Sequence, residues 1–391
     1  MKLLFYCDTV FGYGGVERVL AELSKALSKS HEVTVLSTDM RKDYAMYGYD
    51  RSQVKFRFIE YGKAPRLENL ICKGYSFLYK KVLPQNRFTS WLYGKSFFLP
   101  SYRNKLVKEI NDGGYDVVIG VHAYLSLHLT SIHRRIKAKT IGWMHNSYQA
   151  FFEKENPYLP GLKNFFRHRM RLLDKVVVLS RADATRYQVD LNLDSQVIYN
   201  PLALQPCGLA DASHKKFLAI GRFAHAHKGF DILIEAFARF AESNKDWTLE
   251  IVGEGPEETL YRTMITEYKL TDRVQICPFT NNVQKHYAGA SGYVLSSRWE
   301  GFGLVLVEAM SHGLPLISSR LPVTEELLEG KNVSYFFESE NVDQLVEQMH
   351  RMADETDWQT MSKAALDYSA QFDIEHISQK WNRMMEGTTH G

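Results

Sequence analysis

Two hydrophobic rhythms alternate along this chain. Short apolar runs rich in β-branched and aromatic residues read as strands buried on both faces, and between them apolar positions recur three and four apart, as on helices. In the first half the strand candidates are residues 3–7, 33–36, 54–59, 117–121, 140–143, 176–179 and 196–199, with helical stretches such as 16–28 and 102–110 among them. Asn200-Pro201 and the polar stretch 204–213 interrupt the pattern and read as a linker. The rhythm then restarts, with strands at 217–220, 248–252, 274–276, 293–295, 316–317 and 334–337 and helices at 230–243, 256–269, 304–312, 342–353 and 358–371. A βαβ alternation predicts a mostly parallel sheet covered by helices. Its restart predicts an α/β chain of two doubly wound domains, residues 1–200 and 201–370, facing each other across a cleft. In such sheets ligands sit at the carboxyl ends of the strands.

Length agrees, since 391 residues exceed one ordinary core. The 45% hydrophobic and 24% charged fractions are those of a soluble globular protein. No apolar run approaches the ~18–20 residues needed to span a bilayer. The N-terminus MKLLFYCDT runs straight into a glycine loop and reads as a first strand rather than a signal peptide. Cys7, Cys72, Cys207 and Cys277 lie far apart and form no ligand pair, a usage that fits a reducing cytoplasm.

The net charge of +3 conceals a division. Residues 1–200 carry 31 Lys+Arg against 18 Asp+Glu, and residues 201–391 carry 17 against 27. Two halves of opposite charge suggest different partners. Between Lys63 and Lys108 stand ten basic residues and one acidic residue, Glu68, interleaved with aromatics. A second basic and apolar stretch runs from Leu162 to Leu172. Both suit peripheral docking on an anionic membrane surface, the cytoplasmic leaflet; the alternative is helices that pack their aromatics inward and leave lysines solvated. No nucleic-acid-binding module is recognisable.

The segment RWEGFGLVLVEAMSHGLPLISS, 298–319, carries the most chemistry. Glu300 and Glu308 lie eight positions apart around a predicted helix start. Eight helical residues rise ~12 Å, about the span from sugar to ribose in a nucleotide-sugar. The free amides of a helix start, with the dipole behind them, suit the diphosphate between. The bland reading is a βαβ crossover with one buried glutamate. Gly221-Arg222-Phe223 and Lys228-Gly229 offer a bidentate fork and a point charge to one anion. Gly253-Glu254-Gly255-Pro256 is a further strand-to-helix turn.

In the first half, Phe11-Gly12-Tyr13-Gly14-Gly15-Val16-Glu17 lacks the last glycine of a dinucleotide fingerprint, so a dehydrogenase is disfavoured. His145 closes a predicted central strand, and His122 ends the preceding one and competes for any role at that edge. His225 and His227 read as loop residues. There is no Asp-x-Asp, His-Glu-x-x-His or Cys-x-x-Cys, so no dedicated metal site is expected, and no phosphate loop or nucleophile elbow.

Taken together, Gly14-Gly15-Val16-Glu17-Arg18, Gly221-Arg222 with Lys228-Gly229, Gly253-Glu254-Gly255-Pro256 and Glu300-Gly-Phe-Gly with Glu308 resemble the retaining glycosyltransferases of family four, in order and over essentially the whole chain. The resemblance implies a GT-B fold with acceptor bound mainly by the first domain, nucleotide-sugar by the second, and a C-terminal helix, 371–391, returning to the first. It implies no required metal or other cofactor. It gives Arg222 and Lys228 to the donor diphosphate, Glu300 to the sugar hydroxyls, Glu308 to the ribose, and the backbone of Gly301, Phe302, Gly303 and Leu304 to sugar and phosphate. Gly221 and Gly253 line the donor, Gly15 approaches its phosphate, and His145 touches the sugar near its reacting carbon. Ala224-His225-Ala226-His227 and Cys277-Pro278-Phe279-Thr280 depart from the family's commoner loops, the second near the expected base pocket.

The expected function is transfer of a hexosyl or N-acetylhexosaminyl unit from a UDP-linked donor to a glycan or lipid-linked acceptor in cell-surface polysaccharide assembly. The alternatives are a soluble transferase making a small glycoside and a non-catalytic nucleotide-sugar-binding subunit.

Overall fold

The computed structural model describes residues 1–389 apart from Tyr13, Met46, Gln205, Cys207, His225, Ala226 and Asn281. The chain forms two compact units, Met1–Pro201 together with the C-terminal stretch from Ile374, and Leu202–Asp373.

Unit 1 is built on strands β1 (Lys2–Cys7), β2 (Glu32–Ser37), β3 (Val54–Phe58), β4 (Val117–Val121), β5 (Lys139–Trp143), β6 (Lys175–Val178) and β7 (Gln196–Val197). They pair in parallel in the order β3-β2-β1-β4-β5-β6-β7. Its helices are α1 (Gly15–Ser28), α2 (Arg66–Lys81), α3 (Arg87–Phe97), α4 (Pro100–Gly113), α5 (Ala123–Ile132), α6 (Tyr148–Phe152), α7 (Lys163–Met170) and α8 (Arg181–Leu191). All five residues of β4 are buried, which is why its sequence is an unbroken apolar run rather than an alternation. α1 instead buries one face, Val19, Leu20, Leu23 and Leu27, and keeps Glu17 in its first turn, where the helix dipole favours an acid.

Unit 2 contains β8 (Lys216–Ile220), α9 (Phe230–Phe240), β9 (Thr248–Val252), α10 (Glu258–Glu267), β10 (Val274–Cys277), α11 (Gln284–Ala288), β11 (Gly292–Leu295), α12 (Leu304–Ser311), β12 (Leu316–Arg320), α13 (Pro322–Leu328), β13 (Ser334–Glu338), α14 (Val342–Asp354) and α15 (Trp358–Ser369). The six strands are parallel in the order β10-β9-β8-β11-β12-β13. One core cluster joins Phe217, Leu249 and Ile251 of the sheet to Leu233, Phe237 and Phe240 of α9 and Leu345, Met349 and Met352 of α14. Both units are doubly wound α/β, as the restart of the rhythm predicts.

The last helix, α16 (Ile374–Thr389), belongs to unit 1 and packs against α1. Trp381 is fully buried, with its ring centroid 4.9 Å from that of Trp143, and His31 Nε2 lies 2.9 Å from Asn382 Oδ1. The predicted return of the C-terminal helix is therefore observed.

Some expected features differ. The strand around residue 196 shrinks to two residues, and α10 starts at Glu258, after Pro256 rather than on it. The second basic stretch is only partly a surface: Phe165, Phe166 and Met170 of α7 are fully buried and Arg169 nearly so, while Lys163 and Arg171 are exposed. Lysines and arginines at both ends mask an apolar face that the core takes up.

Candidate functional site

In each sheet the strand order reverses once, between β1 and β4 in unit 1 and between β8 and β11 in unit 2. Loops leaving the carboxyl ends of two such neighbours turn to opposite faces and leave a crevice, the favoured ligand position of this architecture. In unit 2 those loops are the segments after β8 and after β11, and they deliver the charged residues singled out from the sequence.

Lys228 Nζ donates to Glu300 Oε1 at 2.6 Å, and Ser297 Oγ donates to the same oxygen at 2.6 Å. The two charged side chains are only 14% and 7% exposed. Burial alone would raise the Glu300 carboxyl, but the Lys228 charge, nearby His227 and the donated hydrogen bonds outweigh it and hold the group below its ordinary value. The Lys228 stem crosses directly over Gly221, where a Cβ would lie 2.8 Å from Lys228 Cγ and 3.0 Å from Cδ and Cε. A side chain at 221 would push the lysine off its partner. Arg222 is exposed just beyond β8. Lys228 is thus held by a carboxylate. Gly253 follows β9 and donates its N–H to the carbonyl of Cys277 at 2.9 Å.

A clamp that the sequence reading did not single out joins the two segments. Ser296 Oγ donates to the Lys228 carbonyl at 2.7 Å, and the Arg298 N–H to the His227 carbonyl at 2.9 Å. His227 Nε2 donates to the Trp299 carbonyl at 2.6 Å, and the rings stack 4.5 Å apart at 8°. His227, read as a plain loop residue, is therefore a fixed support, while His225 and Ala226 lie outside the described residues, as does Cys207. Arg298 forks onto Asp231 at 3.0 and 2.8 Å and reaches Glu340 at 2.8 Å. These partners stand 67 and 42 positions from Arg298, beyond the reach of a spacing argument.

The geometry around the two glutamates corrects one expectation. α12 begins only at Leu304, so Glu300 stands in the preceding turn and only Leu304 to Glu308 rise as helix, ~6 Å instead of ~12 Å. Gly303 caps this helix at φ 80°, a left-handed conformation that glycine adopts without penalty. Phe302 turns its ring inward, with its centroid 6.0 Å from that of Phe372, and Leu304 is half-buried. The backbone from Gly301 to Leu304 and the first-turn amides of α12 are the polar groups this turn offers. Glu308 is buried, and Tyr287 Oη donates to its Oε2 at 2.8 Å.

In unit 1, Gly14 precedes α1 and Gly15 is its first residue. Tyr47 Oη donates to the Gly12 carbonyl at 2.7 Å and steadies this loop, whose Tyr13 lies outside the described residues. His122 follows β4 at φ 80° and ψ 155°, a region that costs a non-glycine residue about 1–3 kcal/mol. His145 follows β5 and is buried, with its ring centroid 4.1 Å from that of Trp143. Among the described residues neither of its ring nitrogens has a hydrogen-bond partner. Burial, and then neighbouring His122, push its pKa well below the ordinary value, so the ring is a neutral imidazole with two open polar atoms.

One cluster of metal-ligating residue types comes together among the described residues, Glu250 of β9, Cys277 of β10 and His286 of α11. His286 Nδ1 lies 2.5 Å from Glu250 Oε1, and Lys216 Nζ lies 3.2 Å from Oε2. Burial and the adjacent carboxylate push the Cys277 thiol up to about 11. No sequence motif marks this group, because the fold brings its members together from β9, β10 and α11.

Two family models match the chain in succession, Glycosyltransferase Family 4 over residues 13–205 and Glycosyl transferases group 1 over residues 208–367. The chain is 26% identical over 98% of its length to an uncharacterized glycosyltransferase of Haemophilus influenzae, covering 99% of that protein. It is 24% identical, again over 98% of its length and 99% of the relative's, to the amylovoran biosynthesis glycosyltransferase AmsD of Erwinia amylovora. Anabaena HepE, solved in complex with UDP and glucose, superposes with a TM-score of 0.74 at 17% identity, covering 99% of each chain.

Proposed function

This chain is a glycosyltransferase with the two Rossmann-like units of the GT-B class, and from that premise we propose that it transfers a hexosyl or N-acetylhexosaminyl unit, with retention, from a UDP-linked donor. The acceptor is a glycan or a lipid-linked sugar of cell-surface polysaccharide assembly, met by unit 1 at the inner face of the membrane. The observation that carries the reading is the buried Lys228–Glu300 pair at the β8/β11 switch point, beside the amides of the α12 start. One polyol-binding carboxylate, one fixed cation and one helix N-terminus form the minimum set for a sugar joined to a diphosphate. UDP and glucose occupy the HepE structure, and that likeness supports the choice of donor.

In the proposed reaction the bond between the sugar's anomeric carbon and the diphosphate oxygen breaks. The acceptor oxygen bonds to that carbon on the same face, and its proton passes to the departing diphosphate. Arg222, Lys228 and the α12 amides stabilise the growing charge on the leaving group. Glu300 grips hydroxyls of the sugar, and Glu308 grips those of the ribose. Gly15, Gly221, Gly253 and the 301–304 backbone let the donor approach closely. His145, neutral and with both nitrogens open, hydrogen-bonds a sugar hydroxyl. None of these steps calls on a metal.

The test is a panel of UDP- and GDP-sugars, read by thermal shift and by release of nucleotide. At least one UDP-sugar should raise Tm and release UDP slowly in water, and the anomeric configuration of the transferred sugar should match that of the donor. No shift and no release with any donor would remove the reading, and an inverted product would remove the mechanism.

A further inference from the structure

The α2–α3 hairpin wears its apolar residues on the wrong side for a helix packed on a domain. On α2, Leu67, Leu70, Ile71, Phe77 and Leu78 follow helical spacing along one stripe, and that stripe faces solvent. Leu67 and Leu70 are each 70% exposed and Ile71 62%. The face turned to α3 is the more polar one, where Tyr79 Oη bonds Ser90 Oγ at 2.7 Å and Tyr75 Oη donates to the Thr89 carbonyl at 3.2 Å. Tyr79 and Tyr93 stack at 4.2 Å and lock the two helices together. On α3, Phe88 and Trp91 extend the apolar stripe, 67% and 46% exposed. The aromatics of this stretch therefore divide: Tyr79, Tyr93 and Phe98 pack inward, and Phe77, Phe88 and Trp91 do not.

Around the stripe stand exposed cations: Arg66, Lys73, Lys80 and Lys81 on α2, and Arg87 and Lys95 on α3. The single carboxylate of the stretch, Glu68, is turned aside to accept from the N–H and the hydroxyl of Ser101 at 3.1 and 3.0 Å. Beneath α3 opens a cavity of about 260 Å³ whose lining includes Arg87, Lys95, Arg103, Arg134, Arg135 and Arg169 and no carboxylate. Arg169 is buried there, held by Thr130, and burial with neighbouring Arg103 and Arg134 pushes its guanidinium down to about 10. Arg87, Trp91 and Lys95 belong to both features, so cavity and stripe form one surface.

We propose that this surface docks on an anionic phospholipid bilayer, the apolar stripe entering the acyl boundary and the cationic cavity taking lipid phosphates. The inference deepens the reading of a membrane-borne acceptor and rests on it. Apolar side chains rimmed by basic ones match the interfacial geometry of an in-plane amphipathic helix. Among the described residues no helix is long and apolar enough to cross a membrane, so the contact is peripheral. A second copy of the chain would set the same cationic cavity and rim against themselves, a like-charge contact that opposes pairing.

The test uses the full chain and phosphatidylcholine vesicles with and without phosphatidylglycerol, read by co-sedimentation. Binding is expected only with the anionic lipid and should weaken as salt rises. Leu70→Glu with Ile71→Glu, and separately Arg87→Glu with Lys95→Glu, should each lower binding by about tenfold or more. Absent binding, equal binding to neutral vesicles, or wild-type binding by both variants overturns the proposal. So does a dimer in light scattering that Leu70→Glu with Ile71→Glu dissolves, which would give the face to a second copy. The thermal shift produced by UDP is measured on all three proteins; its loss would count against the donor site and not against this surface.

Discussion

Lys228 and Glu300 are 72 positions apart in sequence and 2.6 Å apart in space, and their opposite charges meet where both side chains are largely buried. If Lys228 holds the donor as proposed, removing it should cost stability as well as activity. Lys228→Ala should lower unfolding free energy by about 3–5 kcal/mol, because it strands a buried carboxylate, while Lys228→Ala with Glu300→Gln should recover part of that loss. Urea unfolding of the two variants decides, and an unchanged single variant would sink the claim.

The same pair sets a pH dependence. The folded-state pKa of Glu300 is lowered, so its contribution is complete above the unfolded carboxylate value near 4.5 and is lost as pH falls through the folded one. Wild type should lose this share of stability on acidification, and Lys228→Ala should show less of it. Denaturant midpoints at neutral and acidic pH measure the difference.

Arg222 is exposed and offers the cleaner catalytic test. Arg222→Ala should change stability by no more than about 0.5 kcal/mol and cut kcat/KM by roughly 10²–10³, the usual loss when a transition-state charge partner is removed. Near-normal turnover would take Arg222 out of the diphosphate site.

Glu308 accepts from Tyr287, which aims its carboxylate. On the ribose assignment, Glu308→Gln should weaken UDP binding by calorimetry and raise donor KM more than it lowers kcat. Tyr287→Phe should follow the same split more mildly, by about 1 kcal/mol. A pure kcat effect in either would argue for a part in the chemistry instead.

His128 lies stacked on Phe98 at 3.9 Å, and burial pulls its pKa down to about 3. Its unfolded value is near 6.5, so below that pH the unfolded chain takes up a proton that the folded chain refuses. Stability is full above pH 6.5 and falls on acidification by up to ~1.4 kcal/mol per pH unit for each such histidine. His122 and His145, both lowered, add to the slope. His128→Phe should flatten it, and equal slopes for variant and wild type would remove His128 from the account.

Much of this molecule is written locally. Parallel strands buried on both faces are mostly apolar, and so β4 and β8 stand out without any knowledge of their neighbours. The glycine turns and the Glu300–Glu308 spacing are local too, because a helix start is specified by a few adjacent residues. What residues do to one another across the sheet is not local. The order β10-β9-β8-β11 alone brings Lys228 to Glu300, stacks His227 on Trp299 and gathers Glu250, Cys277 and His286. Periodicity marks an amphipathic face without saying whether it looks inward. α7 and α2 both combine basic and apolar residues, yet α7 buries Phe165 and Phe166 while α2 exposes Leu67 and Leu70. The sequence by itself determined which residues become strands and helices, because hydrophobic spacing acts over one or two turns. Only the tertiary structure decided which charges meet and which apolar stripe stays in water, because those depend on what the sheet order places opposite them.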